Sequence, residues 1–589
     1  MRAIHCAILG SSVVFSSACR EPETGDWPAL GYNARSTYNN AAEKTLTTGN
    51  VGRLGPIWQT TRFGTVNGSP AVVGGVMYVL SSTGAFALRA STGEEIWRNT
   101  NVKGTASATY SNGQVFLHDA DAILVALNAA DGRELWRKET DPHPNARGFS
   151  SPRVFQHYVI VGVASAEAHL NHTETSVFRG SVIAYHRNTG QELWRRYTVE
   201  PPHNGASVWS TVSIDEGLGL VYGTTGNNYL GTASLTSDSI FALRLLDGAP
   251  VWWTQLTKDD VYTNAHQNGP DADFGTNPVL FEATINGFPR ELVGAGQKAG
   301  IFWALDRRTG GVVWSRNVSV GGLLVGGIMN AAAFDGQNIV LAGNRGSSNG
   351  PGSEPSNGES SNLTSPPTSV LEALNASNGN VVWERQLPAW VWAPITVANG
   401  IGFVAYEKSM QAFDVRNGNK LFTYRTNGTI SSSPVVVGGT VYFGSGLSYI
   451  ATHADQTLHA LALDGSFVPD AGSGDGGTAT FTAVYDQVLF GGGCASAFCH
   501  GASAGNLPMG TRAQAYQSLV GVTAAGDACG STGLKRVVPG NPDGSLLVTK
   551  ISLANPGCGT VMPPGAGVSV PPAQVALVRS WIAAGALDN

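Results

Sequence analysis

The residues most suggestive of chemistry in this 589-residue sequence are two cysteines and a histidine near its C-terminal end. Cys494 and Cys499 are separated by four residues, and His500 follows directly. Two thiols that hold a porphyrin through thioether bonds, followed at once by an imidazole ligand for the iron, are typical of covalent haem c. The usual spacing is two residues, so this is a less common variant. A methionine thioether suits the second axial position, with Met562 as first candidate and Met509 as its competitor.

The same cysteines permit a second interpretation without haem. In an oxidising compartment Cys494 could pair with Cys499, and Cys529 with Cys558, to give a disulfide-stapled domain. A zinc site is disfavoured because neighbouring cysteines of exported proteins tend to oxidise. We favour the haem and expect a disulfide between Cys529 and Cys558.

The first residues predict export. A positive start, an apolar run that ends at Phe15 and small residues before Cys19 are typical of a signal peptide over residues 1–18. Cys19 directly after Ser17-Ala18 is similar to a lipoprotein cleavage site, which predicts a lipid anchor there. The expected location is therefore the periplasm, the outer membrane or the cell surface. No later apolar run is long enough to span a bilayer.

Composition narrows the class of protein. The chain has 75 glycines, 14 tryptophans and only 13% charged residues, which favours a β-rich protein outside the cytoplasm. The formal net charge is −6 and no basic cluster is present, so no nucleic-acid partner is expected.

A strand, a glycine turn and a second strand that ends in tryptophan recur along the chain. The first copy runs from Ala87 through Gly93 to Trp97. Glycine supplies the positive φ of a tight hairpin, and the tryptophan packs against the neighbouring unit. Later copies end at Trp136, Trp194, Trp252, Trp314, Trp383 and, with phenylalanine instead, Phe422. A half-copy at Ala460–Gly465 lacks the tryptophan, and the strand Gly55–Trp58 can complete it. Since one unit cannot bury its apolar face alone, the repeats predict a closed eight-bladed β-propeller over residues 19–464.

The pattern changes after the repeats. Residues 465–478 are rich in Gly, Ser and Asp, which predicts a linker. Residues 479–589 then form a small, mainly α-helical domain in this interpretation. Near its end, Val575, Val578 and Ile582 form one apolar helical face, and Gly585 is a suitable stop.

Both regions resemble known families. The propeller region resembles the pyrroloquinoline quinone (PQQ) dehydrogenases, and most closely the polyvinyl alcohol dehydrogenase-like proteins. The stretches that carry this resemblance are Asp26–Ser36, Phe178–Val182, Thr225–Tyr229, Pro270–Gly275 and Gly294–Lys298. The C-terminal region resembles cytochrome c-like domains. Its matching stretches are Cys499–Gly501, Val537–Ser545, Met562–Gly565 and Trp581–Ala586.

The resemblance implies a set of site residues in the order of the family. It implies that Glu167 and Asn227 bind Ca²⁺, and that Trp209 stacks on the flat quinone. Asp273 would be the catalytic base and a further calcium ligand, with Lys298 as the cation beside a quinone oxygen. A divalent metal of this kind prefers carboxylate and amide oxygens, and a nearby carboxylate can take the alcohol proton.

Two assignments stay open, and two features depart from the family. Asp271 is the alternative to Asp273 by register, and Glu174 is the alternative to Glu167 by residue type. Many members carry an adjacent cysteine pair, whereas here Thr175–Val177 precedes Phe178. In the related polyvinyl alcohol enzymes the haem domain precedes the propeller, whereas here it follows the propeller. That order is similar to the one in the quinohaemoprotein alcohol dehydrogenases.

The sequence therefore supports two alternative interpretations of function. The first is an exported oxidoreductase that oxidises an alcohol, such as a polymeric one like polyvinyl alcohol, with PQQ and Ca²⁺. Its electrons would pass to haem c and on to an external acceptor. The second is a non-enzymatic propeller lipoprotein, a scaffold of the outer-membrane assembly type with a disulfide-stapled C-terminal domain.

Overall fold

A computed structural model gives the fold at side-chain detail. It describes residues 25–166, 178–263, 267–320, 326–345, 368–446, 456–466, 480–490, 507–509, 511–526, 528–553, 555–562, 570 and 572–589. The chain divides into two compact units, Met1–Gly465 and Ser466–Asn589. The division falls at the start of the predicted linker, residues 465–478.

The first unit is an eight-bladed β-propeller, as predicted. Each blade is an antiparallel sheet whose four strands we label A to D in spatial order. Six of the eight neighbouring pairs of A strands contact one another, which places these strands around the axis. Blades 1 and 2 comprise Ala71–Val73, Val76–Leu80, Ala85–Arg89, Glu95–Asn99, and Thr109–Ser111, Gln114–His118, Ile123–Asn128, Glu134–Glu139. Blades 3 and 4 comprise Arg153–Phe155, Tyr158–Ser165, Ser181–His186, Glu192–Tyr197, and Ser213–Asp215, Leu220–Thr224, Ser239–Arg244, Pro250–Gln255.

The remaining blades repeat this pattern. Blades 5 and 6 comprise Val279–Ile285, Phe288–Gly296, Ile301–Asp306, Val312–Asn317, and Ala333–Phe334, Asn338–Arg345, Thr368–Asn375, Val381–Leu387. Blades 7 and 8 comprise Thr396–Ala398, Ile401–Tyr406, Ser409–Asp414, Lys420–Arg425, and Val435–Val437, Thr440–Gly444, Leu458–Leu463, Leu54–Thr60. Shorter elements are the strands Asn39–Asn40 and Ala146–Arg147, the pair Val261–Tyr262 and Gln267–Asn268, and a 3₁₀ turn at Val51–Arg53.

The ring closes as the half-copy of the repeat predicts. Leu54–Thr60 pairs antiparallel with Leu458–Leu463 and forms strand D of blade 8. An early and a late segment of the unit thus share one sheet, which closes the ring between the last blade and the first.

The repeat tryptophans join seven of the eight neighbouring pairs of blades, which confirms their predicted role. Trp58 donates its indole N–H to the carbonyl of Ala90 at 2.8 Å, and its ring covers Gly93. Gly93 has φ +73°, and a Cβ added there would lie 2.9 Å from the indole, so both the turn and the close approach require glycine. The same indole-to-carbonyl bond joins Trp97 to Ala129, Trp136 to Arg187, Trp194 to Leu245, Trp252 to Arg307, Trp314 to Ala376 and Trp383 to Val415.

The segment Trp27–Asn40 crosses strand A of every blade, a feature that the repeats do not predict. Its backbone or side chains bond to Val72, Tyr110, Arg153, Ile214, Leu280, Phe334, Val397 and Val436, one residue from each blade. Three of its non-glycine residues, Tyr32, Ser36 and Tyr38, have positive φ. Such conformations cost about 1 kcal/mol or more each and persist where surrounding contacts over-determine them. This segment therefore ties the eight blades together at the axis.

The second unit is a small helical domain, as predicted. Its helices are Phe481–Val484 with a π-helical turn at Tyr485–Phe490, Arg512–Leu519, Leu546–Ser552 and Pro572–Ala583, with a 3₁₀ turn at Gly530–Thr532. Trp581, Val578 and Ile582 are fully buried, and the Phe481 ring lies 4.9 Å from that of Trp581. Gly585 follows the last helix with φ +101°, which confirms the predicted stop. The predicted disulfide between Cys529 and Cys558 is present, with their Cα atoms 5.3 Å apart.

The predicted haem ligands are only partly within the described residues. Cys494, Cys499 and His500 lie outside them. Met509 is 3% exposed within the apolar core of the unit, while Met562 is half-buried and donates its backbone N–H to Lys550 at 2.8 Å. The choice between the two methionines stays a prediction. None of the helices in the described part of the chain combines the length and apolar character needed to cross a membrane.

Candidate active site

Four predicted site residues lie in loops at one rim of blades 4 and 5. Trp209 precedes strand A of blade 4 and Asn227 follows strand B. Asp273 precedes strand A of blade 5, and Lys298 follows its strand B. The start of one antiparallel strand and the end of the next meet at the same edge of a sheet, so each blade presents two of these residues at that edge. Glu167 lies outside the described residues.

An ammonium group joins two carboxylates at this rim. Lys298 Nζ lies 2.6 Å from both carboxylate oxygens of Asp271 and 3.6 Å from Asp273 Oδ2. Asp273 Oδ1 accepts the backbone N–H of Asn227 at 2.7 Å, and its carbonyl accepts the N–H of Lys298 at 3.0 Å. The structure therefore brings together Asn227, Asp273, Lys298 and the register alternative Asp271.

Electrostatics hold this lysine charged. Burial disfavours the ammonium, but the negative charges of Asp271 and Asp273 outweigh it, so the pKa of Lys298 is raised. Asp271 uses both oxygens on Lys298 and its side chain is 5% exposed, whereas that of Asp273 is 15% exposed and lies farther from the ammonium. Asp273 is thus the carboxylate with more room for a proton from a ligand.

Trp209 packs beside this cluster. A Cβ added at Gly275 would overlap the six-membered ring of Trp209, and one added at Gly226 would lie 3.4 Å from its indole nitrogen. The added atom at Gly226 would also overlap Asp273 Oδ1. The two glycines therefore allow a half-exposed indole to lie next to the Asp273 carboxylate, as an aromatic floor for a flat ligand requires.

The amide of Asn227 is oriented by its neighbours. Its Nδ2 donates to the carbonyls of Asn228 at 2.8 Å and Tyr262 at 2.6 Å. Both amide hydrogens are used, so Oδ1 is the atom that this side chain can offer to a cation. An amide oxygen and carboxylate oxygens are the donors that a hard cation such as Ca²⁺ prefers.

The donor set within the described residues is small. No three Asp, Glu, His or Cys side chains among them come close enough to hold one metal ion. Asn227 and Asp273 are the predicted ligands that the structure places together, and their donor chemistry fits Ca²⁺. The predicted third ligand, Glu167, belongs to the part of the chain that is not described.

Sequence reasoning missed two buried aspartates beside this cluster. Asp238 precedes strand C of blade 4, and Asp260 follows strand D; both are 0% exposed. Burial, reinforced by the charge of Asp260, raises the pKa of Asp238 well above its ordinary value. Burial, and then the charges of Asp273 and Asp271, raise the pKa of Asp260 to about 7 despite a hydrogen bond from Ala272. In the sequence, Ser237-Asp238-Ser239 and Lys258-Asp259-Asp260 are indistinguishable from solvated turns.

Two protein-family models match the propeller. A family model described as the β-propeller domain of glucose, ethanol and alcohol dehydrogenases, the PQQ family, matches residues 27–318. That range contains all the described site residues. Residues 27–318 thus carry a PQQ-type β-propeller domain. A second model, the outer-membrane protein assembly factor BamB, matches residues 297–468 of the same propeller.

Curated relatives of the PQQ propeller include named alcohol dehydrogenases. The chain is 30% identical over 352 residues to a polyvinylalcohol dehydrogenase of Pseudomonas sp., which covers 54% of each chain. It is 28% identical over 357 residues to a quinohemoprotein alcohol dehydrogenase of Comamonas testosteroni, which covers 51% of this chain and 47% of the relative. The chain thus spans about half the length of the curated relatives that it matches.

A solved structure extends the likeness to the whole fold. The quinohemoprotein alcohol dehydrogenase ADHIIG of Pseudomonas putida HK5 superposes with a TM-score of 0.64 at 18% identity, covering 95% of both chains. This likeness confirms the predicted fold class, a PQQ-type propeller followed by a small helical domain.

Proposed function

We propose that this chain is an exported, PQQ- and Ca²⁺-dependent alcohol dehydrogenase that passes electrons to a haem c in its C-terminal unit and on to an external acceptor. One observation carries the proposal. On a propeller of the PQQ dehydrogenase family, Asp273 and Lys298 lie together beside Trp209 and Asn227 at one rim.

Each residue has a role that its surroundings support. PQQ, when bound, would accept the hydride and its two electrons from the alcohol carbon. Trp209 would support the flat cofactor, because Gly226 and Gly275 let the backbone pass close beside its half-exposed indole without displacing it. Lys298 would place a fixed positive charge beside a developing oxyanion, since its two carboxylate neighbours keep it protonated.

Asp273 is the proposed base. Its Oδ1 is held by the Asn227 N–H at 2.7 Å, while its Oδ2 lies 3.6 Å from Lys298 Nζ. An oriented carboxylate of this kind can take the hydroxyl proton of the alcohol as the carbon is oxidised. Asp271 is bound to Lys298 through both oxygens, which suits it to holding the ammonium in place.

The cation would be held by Asn227 Oδ1, Asp273 and Glu167. A Ca²⁺ ion there would also offset the surplus of buried carboxylates over the single Lys298 ammonium. The proposed substrate is a primary or secondary alcohol, including polymeric alcohols such as polyvinyl alcohol. For the haem we propose thioether bonds from Cys494 and Cys499, with His500 and Met562 as axial ligands. Export through residues 1–18, with lipidation of Cys19, would place the enzyme in the periplasm or at the outer membrane.

A second candidate function rests on the match of residues 297–468 to the BamB model. In that case the chain would be an exported scaffold that presents its loops to partner proteins. Such a scaffold would have no need for a buried lysine paired with two aspartates next to a half-exposed tryptophan.

Reconstitution tests the proposal. The full chain is exported in a host that attaches haem c, then supplied with PQQ and Ca²⁺ and assayed for dye reduction with a series of alcohols. We expect Ca²⁺-dependent turnover, and electron transfer through the haem as growth of a reduced c-type α-band when alcohol is added. D273N should abolish turnover but leave haem content and folding unchanged, because an amide cannot take the proton.

A matched control distinguishes the base from a general loss of charge. Asp131 is an exposed turn aspartate in blade 2, and D131N should retain full turnover. Turnover that survives D273N but not D271N would assign the base to Asp271. Absence of both haem and Ca²⁺-dependent turnover in the wild type would favour the scaffold.

A further inference from the structure

A short strand pair stands between blades 4 and 5, next to the site. Val261–Tyr262 pairs antiparallel with Gln267–Asn268. Asp260 lies directly before the first strand, and Gly269 directly after the second, two residues ahead of Asp271. The chain therefore leaves blade 4, makes this excursion and returns to the two site aspartates.

The Asp260 carboxylate bridges the two ends of the excursion. Its Oδ2 accepts the backbone N–H of Ala272 at 2.7 Å. Ala272 is the single residue between Asp271 and Asp273. On its other side the carboxylate meets Gly269, where an added Cβ would overlap Asp260 Oδ1 and lie 2.9 Å from its Cα. Only glycine allows the returning chain to pass this close to Asp260.

The same strand pair also holds the predicted cation ligand. The carbonyl of Tyr262 accepts Nδ2 of Asn227 at 2.6 Å. Asp260 thus fixes the aspartates while Tyr262, two residues later, fixes Asn227. The aspartate segment needs such support because Asp271 has φ +50°, a left-handed conformation that costs a non-glycine residue about 1 kcal/mol or more.

The residue type supports a role beyond packing. Asp260 is 0% exposed, and the charges closest to it include those of Asp271 and Asp273. Burying a carboxylate next to like charges destabilises the fold, and an apolar side chain would fill this space at lower cost. A group retained at such a cost is expected where it preserves the geometry of a site.

We infer that Asp260 is a positioning residue that holds the Asp271–Asp273 segment against Asn227 and thereby sets the affinity of this rim for a divalent cation. The inference rests on the proposed function and adds a residue to it. Asp260 acts through the backbone N–H of Ala272, without touching substrate or cation. Loss of a second layer of this kind typically weakens metal binding 10- to 100-fold.

Two substitutions separate hydrogen bonding from charge. D260A removes the acceptor, whereas D260N keeps an oxygen that can accept the Ala272 N–H. In calorimetric titration of Ca²⁺ into the quinone-free full chain, we expect D260A to bind roughly 10- to 100-fold more weakly. D260N should bind within about threefold of the wild type. Amide hydrogen exchange at Ala272 should accelerate in D260A and stay slow in D260N. If D260A does not fold, D260S replaces it, since its hydroxyl is too short to reach Ala272.

The outcomes distinguish this inference from the function on which it rests. If the wild type binds Ca²⁺ and D260A binds it equally well, Asp260 has no positioning role. If D260N loses affinity as severely as D260A, the charge of Asp260 matters and the hydrogen bond does not, which also overturns the inference. If the wild type itself binds neither Ca²⁺ nor PQQ, the proposed function fails, and the exchange rate of Ala272 still reports whether Asp260 holds the segment.

Discussion

Replacing a buried aspartate beside the site should stabilise the protein. Asp238 is fully buried. The Ser237 side chain lowers the pKa of its carboxyl, but burial and the neighbouring carboxylates outweigh that effect. The charges around it are those of Asp260, Asp273 and Asp271, all of the same sign. Asn is nearly isosteric, carries no charge and tolerates the φ of +50° at this position better than most residues. We therefore predict that D238N is more stable than the wild type when no cation is bound.

The magnitude follows from linkage. Burial raises the pKa of Asp238 above its ordinary value of 3.8, so the folded state retains a proton that the unfolded chain releases. Between the two pKa values, the stability of the wild type falls by about 1.4 kcal/mol for each pH unit of increase. D238N lacks this penalty, so its advantage grows as pH rises. The advantage grows by at most about 1.4 kcal/mol for each pH unit below the folded pKa, and it is smaller by about 1–3 kcal/mol if the new amide hydrogens stay unpaired.

Urea unfolding followed by tryptophan fluorescence measures this difference. The free energy of unfolding is compared between D238N and the wild type at pH 5 and pH 8, in EDTA. D131N, at an exposed turn, is the control and should differ from the wild type by less than about 0.5 kcal/mol at both values. An advantage of D238N that does not increase with pH would show that Asp238 is ionised in the folded state, and the reasoning would be wrong.

Two further predictions concern the frame of the propeller. Burial lowers the pKa of His118 to about 4 and that of His459 to about 3, so both stay neutral in the folded state while the unfolded chain takes up protons below about pH 6.5. The free energy of unfolding should therefore fall as pH drops from 6.5, by about 2.5 kcal/mol per histidine at pH 4.5. H118Q should lose the part of this fall that His118 causes, and an unchanged pH dependence in H118Q would contradict this. Arg307 Nη1 lies 2.6 Å from the carboxylate of Asp215, with both side chains buried, so R307M should cost about 3–5 kcal/mol by leaving that carboxylate unpaired. The double variant R307M/D215L should recover most of the lost stability in the same urea assay. No recovery would mean that the lost bonds from the Arg307 guanidinium to backbone carbonyls dominate.

The repeating parts of the fold were predictable because each makes the same contact. A tryptophan at a constant distance from a hairpin glycine can make the same contact with the next blade each time it recurs. The indole of Trp97, for example, donates to the carbonyl of Ala129. The half-copy at Ala460–Gly465 likewise predicted the strand that closes the ring. In the helical unit, the periodicity of Val578 and Ile582 predicted a buried face, and both side chains are fully buried.

The irregular parts were not predictable because their contacts do not depend on a recurring residue type. The segment Trp27–Asn40 bonds to the blades mostly through its own carbonyls, as when Ala34 accepts from Ile214. Backbone hydrogen bonds leave no mark on residue type, so its contact with all eight blades cannot be read from the sequence. Asp238 and Asp260 were missed because an aspartate next to serine or lysine is usually a solvated turn residue. Their burial results from the packing of the loops of blades 4 and 5 at one rim, which the repeat pattern does not describe.

The contacts that join blades 4 and 5 stabilise the fold, whereas the carboxylates of the site destabilise it. Around Lys298, buried carboxylates outnumber ammonium groups, which destabilises the fold until a cation is bound. The same two blades are joined by contacts that are fully paired. Ala34 and Arg35 accept the N–H groups of Ile214 and Leu280, and Arg307 joins Asp215 at the turns opposite the site. Because these contacts fix the distance between blades 4 and 5 independently of the rim, the acidic cluster can retain its excess charge without separating the blades. The Asp273 carboxylate, which is more exposed than that of Asp271, then stays accessible to a ligand, as the proposed dehydrogenase requires.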